Sequence, residues 1–252
     1  MNSDTIKKLL DINDQFYQTF GAAFAETRRR LQPGVQRVIE EWISGGNWLD
    51  LGCGSGVLGQ TLSARGLCGS YLGLDFSQPL LTEASKGAAI ISQNNGFQLQ
   101  YGQANLLHED WINAAGGRLF DGVLAFAALH HIPGSVNRQR IFRQVSELLQ
   151  PGGFFIHSEW QFQNNPKLVA RIQPWMKVGL TEADVEPGDT LLDWRHLAER
   201  QVDEPGLRYV HLFNSEELGQ LGRQAGLVLM EEFSSDGKGG KLGLYQVWKK
   251  PI

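Results

Sequence analysis

A doubly wound α/β sheet that closes in an antiparallel hairpin is the fold predicted by the 252-residue sequence. Three observations carry that expectation. Short apolar runs alternate five times with segments of helical periodicity. The run at 120–127 is too apolar for a strand with one wet face, and suits a parallel sheet covered on both faces. The C-terminal end carries two strand-like runs joined by Ser234-Ser235-Asp236-Gly237-Lys238-Gly239-Gly240, which reads as a hairpin.

Each element follows in order. Residues 5–43 read as helical, with Ile6, Leu9 and Leu10, then Val35, Val38, Ile39 and Trp42, at helical spacing. Pro33-Gly34 divides this stretch and Gly45-Gly46 ends it. Residues 48–51 form a first strand running into a glycine-rich loop, and 57–64 a helix. Residues 71–74 form a second strand ending at Asp75. A helix over 79–91 follows, with Ser77 as its N-cap and Pro79 early in its first turn. Residues 97–101 and 120–127 are the third and fourth strands. A helix over 136–149 is stopped by Pro151-Gly152-Gly153, and 154–158 is the fifth strand. Residues 161–206 break the rhythm with four prolines and read as an insertion over the sheet's carboxyl edge. Residues 207–213 read as a strand, 215–225 as a helix capped by Gly226, and 227–233 with 242–248 as the hairpin. Two units are expected: a helical extension over 1–44 on the lid or substrate side, and a main domain over 45–252 carrying the insertion.

Composition narrows the classes. Apolar residues make up 42%, enough for a sizeable core without staples. The net charge of −4 leaves no broad footprint for nucleic acid, although Arg28, Arg29 and Arg30 form a local basic run. Cys53 and Cys68 are the two cysteines, so structural zinc and a disulfide scaffold are not expected, and no metal site is assigned. No apolar run approaches the ~20 residues of a membrane helix. The start of the sequence is polar and acidic rather than a secretory signal. A soluble cytoplasmic protein with no membrane partner is the expectation.

The stretch Asp50-Leu51-Gly52-Cys53-Gly54-Ser55-Gly56-Val57-Leu58-Gly59 holds two overlapping fingerprints. Gly54, Gly56 and Gly59 match the dinucleotide pattern, with Asp75 as the later acid. Gly52, Gly54 and Gly56 after Asp50 match the loop that cradles S-adenosylmethionine. An ionised Asp50 would repel a pyrophosphate and attract the α-ammonium and sulfonium of S-adenosylmethionine. Asp75 suits a ribose diol in either reading. Gly59 is assigned to helix–strand packing, and S-adenosylmethionine is favoured over a nicotinamide cofactor.

The blocks WLDLGCGSG, YLGLDFS, LQYGQANLL, FDGVLAFAALHHIP and LLQPGGFFIHSEW occur in that order. They resemble the class I S-adenosylmethionine-dependent methyltransferases. The resemblance implies a Rossmann-like seven-stranded sheet whose last strand is antiparallel, with the methyl donor along its carboxyl edge. It implies that Asp50, Gly52, Gly54 and Gly56 hold the methionine part, with Asp75 on the ribose and Phe76 beside the adenine. Ala104 and Asn105 would meet the adenine edge, with Asn105 accepting through its side-chain oxygen where the family often has Asp. Ala125 and Phe126 would lie below the methionine end.

Methyl transfer needs alignment and exclusion of water, and a base only where the acceptor carries a proton. His130 and His131, after the fourth strand, are the candidates to orient or deprotonate it; His108, His157 and His196 have weaker claims. The segments FAETRRRLQPGV and LRYVHLFNSEEL resemble the tRNA wobble-uridine carboxymethyl methyltransferases. That resemblance implies a carboxylate acceptor clamped by Arg28 and Arg208, with His211 and Tyr209 alongside. The acceptor is then a carboxylate on a modified tRNA uridine, with an O- or N-bearing small molecule as the alternative. A small partner subunit, or a role as the cofactor-binding partner of a catalytic chain, stays open.

Overall fold

The computed structural model describes residues 1–26, 30–91, 96–194 and 206–252, the side chains of 22–26 and 89–91 excepted. Helix α1 (Ser3–Glu26) opens the chain, and Asn2 Oδ1 caps it by accepting from Thr5 N at 2.8 Å. Helix α2 (Pro33–Trp42) starts on Pro33, whose missing N–H costs nothing at a helix start. Strands and helices then alternate: β1 (Gly46–Leu51), α3 (Val57–Ala64), β2 (Gly69–Asp75), α4 (Gln78–Ile91), β3 (Phe97–Gln103), β4 (Phe120–Phe126), α5 (Ser135–Leu148) and β5 (Leu149–Trp160). The chain continues through α6 (Pro166–Val169), β6 (Ile172–Gln173), β7 (Asp189–Trp194), β8 (Gly206–His211), α7 (Ser215–Gln224), β9 (Val228–Ser235) and β10 (Gly243–Lys249).

The main sheet has seven strands in the order β3-β2-β1-β4-β5-β10-β9. β1 to β5 pair in parallel, and β10 pairs antiparallel with both β5 and β9. β10 alone therefore runs against the rest, as the closing hairpin requires. One apolar cluster on the sheet includes Val123, Phe142, Phe155 and Trp248; another gathers Val38, Ile39, Leu62, Tyr71 and Val247. Burying each such aliphatic or Phe side chain stabilises the fold by about 1.5–3 kcal/mol, so sheet and flanking helices form one unit. Gly59 of α3 fits this scheme: a Cβ there would lie 2.6 Å from Tyr71 Cε1 and 2.7 Å from Leu99 Cδ1.

Two expectations change. The strand expected at 207–213 forms as β8, but it joins a second, three-stranded antiparallel sheet, β6-β7-β8, rather than the main one. Its partners lie in the stretch expected only as an irregular insertion. Ser77 precedes α4 but does not cap it through its hydroxyl. Its Oγ is buried with no hydrogen-bond partner, while its N–H donates to Asp75 Oδ1 at 2.9 Å. The carboxylate beside it takes the loop amide that a free turn would leave bare.

The second sheet and α1 sit together. β8 is that sheet's edge, and Asn13 of α1 covers it: Oδ1 accepts from Tyr209 N at 2.8 Å, and Nδ2 donates to Tyr209 O at 3.2 Å. A polar residue inside an apolar stripe (Leu9, Phe16 and Tyr17 are all buried) thus supplies the pairing that an edge strand lacks.

Candidate active site

The strand order reverses between β1 and β4, which opens a crevice at their carboxyl ends. A cavity of about 770 Å³ occupies it. Its walls come from the loops after β1, β2, β3, β4 and β5, from α1, and from Arg208 on β8, with the β9–β10 hairpin adding Tyr245.

The glycine loop is pinned to β2: Gly52 N and Cys53 N both donate to Leu74 O, at 2.8 and 3.1 Å. Gly52 (φ +76°) packs so that a Cβ would lie 2.7 Å from Ala128 Cβ. Gly54 (φ +56°) lines the cavity, and a Cβ there would meet nothing within 4 Å. The backbone is therefore open to a ligand at that point. Gly56 (φ +75°) does not line the cavity; a Cβ there would lie 2.4 Å from Tyr101 Oη, so its absence serves packing.

Two buried carboxyls face the cavity. Tyr71 Oη donates to Asp50 Oδ2. Burial pushes the Asp50 pKa up to about 7, with Tyr71 opposing and Asp75 adding to the rise. Asp50 is expected from the sequence to be ionised, whereas with a pKa of about 7 it is about half protonated near pH 7. Its preference is therefore for an arriving cation, which draws the proton off. Asp75 accepts from Gly54 N and Ser77 N, both at 2.9 Å, and burial raises its pKa against those two bonds.

The other expected cofactor contacts divide. Phe76 lines the cavity and packs edge-on against Tyr17, centroids 5.5 Å apart. Ala104 and Phe126 line it too. Asn105 also lines it, but its Oδ1 already accepts from Leu107 N at 3.0 Å. The oxygen expected to receive an adenine amine is thus shared with its own turn. Ala125 is fully buried in the core and does not reach the cavity, because neighbours along β4 face opposite sides of the sheet.

On the acceptor side, His130, His131 and Arg208 all line the cavity. His131 is built into the fold: Nδ1 lies 3.1 Å from Tyr209 O and Nε2 3.0 Å from Tyr17 Oη, which fixes Nδ1 as the donor. Arg208 is 5% exposed, with its guanidinium over the rings of Phe16 (4.9 Å) and Trp160 (5.4 Å). Arg28 and His196 lie outside the described residues. His211 is not at the cavity. It lies on the opposite face of β8 from Arg208, 2.7 Å from Asp189 Oδ1 and 2.9 Å from Glu217 Oε2. Tyr209 shares that face and donates to Asp189 Oδ1 at 2.7 Å. His108 lines the cavity, whereas His157 is buried in the core.

Sequence reasoning missed Asn13, Tyr17, Glu159 and Trp160, all at the cavity wall. The place of Glu159 and Trp160 just past the apolar part of β5 was a usable signal. Ala127, a non-glycine at φ +52° where the chain leaves β4, carried none. Such strain, about 1–2 kcal/mol, clusters at functional sites.

A loop whose backbone is open at Gly54 thus lies between two buried carboxyls at the ends of neighbouring strands of a doubly wound sheet. Residues 24–232 match the family model described as "Methyltransferase domain", more than half of the chain. The chain belongs to that family and carries a class I S-adenosylmethionine-dependent methyltransferase domain. It is 26% identical over 176 residues to a tRNA (carboxymethyluridine(34)-5-O)-methyltransferase of Arabidopsis thaliana, covering 69% of this chain and 39% of that one. It is 29% identical over 125 residues to a ubiquinone biosynthesis O-methyltransferase of Coxiella burnetii, covering 49% and 48%. It thus spans less than half the length of these relatives. An S-adenosylmethionine-dependent methyltransferase structure from Methanosarcina mazei superposes with a TM-score of 0.63 at 20% identity, covering 88% and 99%. A Haloferax volcanii methyltransferase, captured with its Trm112 activator, gives 0.63 at 15%, covering 94% and 97%. Among the described residues no helix is long and apolar enough to cross a membrane, and no cluster of three or more His, Cys, Asp or Glu could hold a metal.

Proposed function

We propose that the protein methylates a carboxylate oxygen, and that the first acceptor to test is a carboxymethyl group on a tRNA uridine. The supporting observation is Arg208. A guanidinium stacked on aromatic rings directs its N–H donors in the plane of the fork, which matches a carboxylate. The similarity to the Arabidopsis enzyme supports the tRNA carrier.

The pocket chemistry fits S-adenosylmethionine, which supplies an electrophilic methyl on a cationic sulfur. In this reading Asp50 takes the ammonium, Gly52 and Gly54 give backbone access to the methionine part, and Asp75 takes the ribose hydroxyls. Phe76, Ala104 and Asn105 flank the adenine, and Phe126 lies towards the methionine end. Arg208 orients the acceptor, and α1 with the second sheet excludes water. Within the 1–44 extension we assign α1 as the lid, with α2 packed on the main sheet, and we assign 161–206, in its described part, as the insertion over the site. A small activator subunit is a proposed partner, supported by the Haloferax likeness, and the free thiols of Cys53 and Cys68 support a cytoplasmic setting.

The roofing of the acceptor side by α1 and β8 favours a second reading, a compact free carboxylate or alcohol. Both are tested by labelled methyl transfer to total tRNA and to a metabolite extract. Label in tRNA that mild alkali removes supports the ester on RNA; label confined to metabolites supports the second reading. Arg208→Ala is expected to keep S-adenosylmethionine affinity and lose about 100-fold in turnover. Unchanged turnover would refute the clamp.

A further inference from the structure

Two side chains of α5 grip the loop that follows β3. Arg140 Nη2 donates to Leu106 O and Leu107 O, both at 3.1 Å. Its Nη1 donates to His108 O at 3.3 Å and to Gln144 Oε1 at 3.1 Å. Gln144, one helical turn on, donates from Nε2 to Glu109 O at 2.8 Å. Four consecutive carbonyls, 106 to 109, are therefore bound from positions 140 and 144. Gln144 is itself fixed. Its Oε1 also accepts from the buried Trp111 Nε1 at 2.7 Å, which settles the end of the amide that is oxygen.

The inner side of the same loop lines the cavity. Ala104, Asn105, Leu106, Leu107 and His108 all contribute to that lining, whereas Arg140 and Gln144 do not. The wall there is a single run of chain, with the cavity on one side and α5 on the other. Its amides are spent locally: Ala104 N donates to Asp75 O, His108 N to Asn105 O, and Leu107 N to Asn105 Oδ1, each at 3.0 Å. The carbonyls are left to α5, and an apolar residue at 140 could not satisfy them. A guanidinium can, because its donors lie in one planar fork and serve several acceptors at once. Leu107 is thus gripped on both sides, its O by Arg140 and its N by Asn105.

We propose that Arg140 is a positioning residue for the methyl donor: by holding the carbonyls of 106–108 it fixes the wall at the adenine end and sets the choice of nucleobase. The proposal rests on the reading that places the adenine at Ala104 and Asn105. In that reading the Asn105 oxygen faces the adenine amine, and its aim depends on where Leu107 lies. Adenine carries an amine donor at that position. Hypoxanthine carries an oxygen there, which the Asn105 oxygen repels. A loop released from Arg140 lets Asn105 turn, and the distinction between the two bases fades.

The test uses the full chain and two ligands that differ at that position, S-adenosylhomocysteine and S-inosylhomocysteine, with affinities measured by calorimetry. The wild type should bind the adenine compound about 10-fold more tightly. Arg140→Ala should lose about 10-fold for the adenine compound and much less for the hypoxanthine compound, so the preference shrinks. Arg140→Lys keeps the charge without the fork and should fall between; it carries the same comparison where Arg140→Ala does not fold. Equal losses for both ligands would make Arg140 an ordinary structural residue and overturn the proposal. A wild type without the preference, or a preference that neither variant alters, overturns it too. The ¹⁵N amide shifts of Ala104 to His108 test the reading beneath it. Shifts on S-adenosylhomocysteine binding together with an unaltered preference remove the role of Arg140 alone. No shift across 104–108 removes the adenine from this wall, and the proposal with it.

Discussion

Asp50 and Asp75 occupy neighbouring strand ends, and burial raises both. They differ in support. Asp75 has two backbone donors, whereas Asp50 has the Tyr71 hydroxyl. Asp50 is therefore the group whose proton a cationic ligand must displace. With a pKa near 7 in the ligand-free protein, it is protonated at pH 6 and ionised at pH 8. Binding of an ammonium favours the ionised form, so binding releases a proton below pH 7. Affinity for S-adenosylmethionine should rise about tenfold per pH unit below 7 and level off above it. Calorimetry in buffers of different ionisation enthalpy measures both the slope and the proton released. Asp50→Asn should remove the slope and weaken binding at pH 8; a flat wild-type profile would count against Asp50 as the ammonium partner.

At the scale of elements, what could be read from the sequence depended on how local the cause was. The parallel strands were legible because strands buried on both faces read as apolar runs. Asp50, Asp75, Gly52 and Gly54 were legible because a loop at a strand end is a local feature, whereas Gly56 packs on Tyr101 from a distant strand. The second sheet was not: β6 has two residues, and β7, DTLLDW, has an apolar pair set between Thr190 and Asp193, with Asp189 just ahead. Only pairing across the insertion makes them strands. His211 was assigned beside Arg208, yet alternation along β8 already separates positions 208 and 211. Asn13 and Tyr17 could not be assigned, since their roles depend on where α1 lands. That docking is testable. Asn13→Ala leaves Tyr209 N buried without its present partner and Tyr209 O with His131 Nδ1, which should cost about 1–3 kcal/mol in urea unfolding. Gly59→Ala tests the α3 contact instead. Its Cβ overlaps Tyr71, the partner of Asp50, so it should lose about 1–3 kcal/mol of stability and some cofactor affinity together. A Gly59→Ala protein with wild-type stability would mean that α3 can shift freely.

At the scale of the whole molecule, the second sheet is tied to the main domain by charge. Arg138 of α5 reaches Glu186 Oε2 at 2.7 Å and Glu217 Oε1 at 3.3 Å, and His211 of β8 joins Glu217 to Asp189. The cluster sets a pH window. Burial alone would lower the His211 pKa, but the Asp189 and Glu217 carboxylates overcome it and hold it above 6.5. A raised histidine stabilises the fold fully below its unfolded value and loses that contribution as pH rises through the folded value. Glu186 works the other way. Burial opposes its ionisation, yet Ser135 and Arg138 hold its pKa below 4.5, so its contribution is lost as pH falls through the folded value. Asp50 adds to the first trend, since keeping it ionised in the ligand-free protein becomes more costly from about pH 4 to 7. Stability should therefore peak near about pH 4.5, fall from there to about pH 7 through the cost of ionising Asp50, and go on falling towards about pH 8.5 as His211 loses its proton. Thermal unfolding across that range measures the curve. His211→Gln should flatten the alkaline limb while leaving the acid limb in place, because a neutral amide can bridge the carboxylates at any pH but gains nothing from protonation. Saturating S-adenosylhomocysteine should remove the part due to Asp50 and leave the His211 part, so the two causes separate in one series. An alkaline limb that survives His211→Gln unchanged would show that the charge cluster does not govern how the second sheet is held.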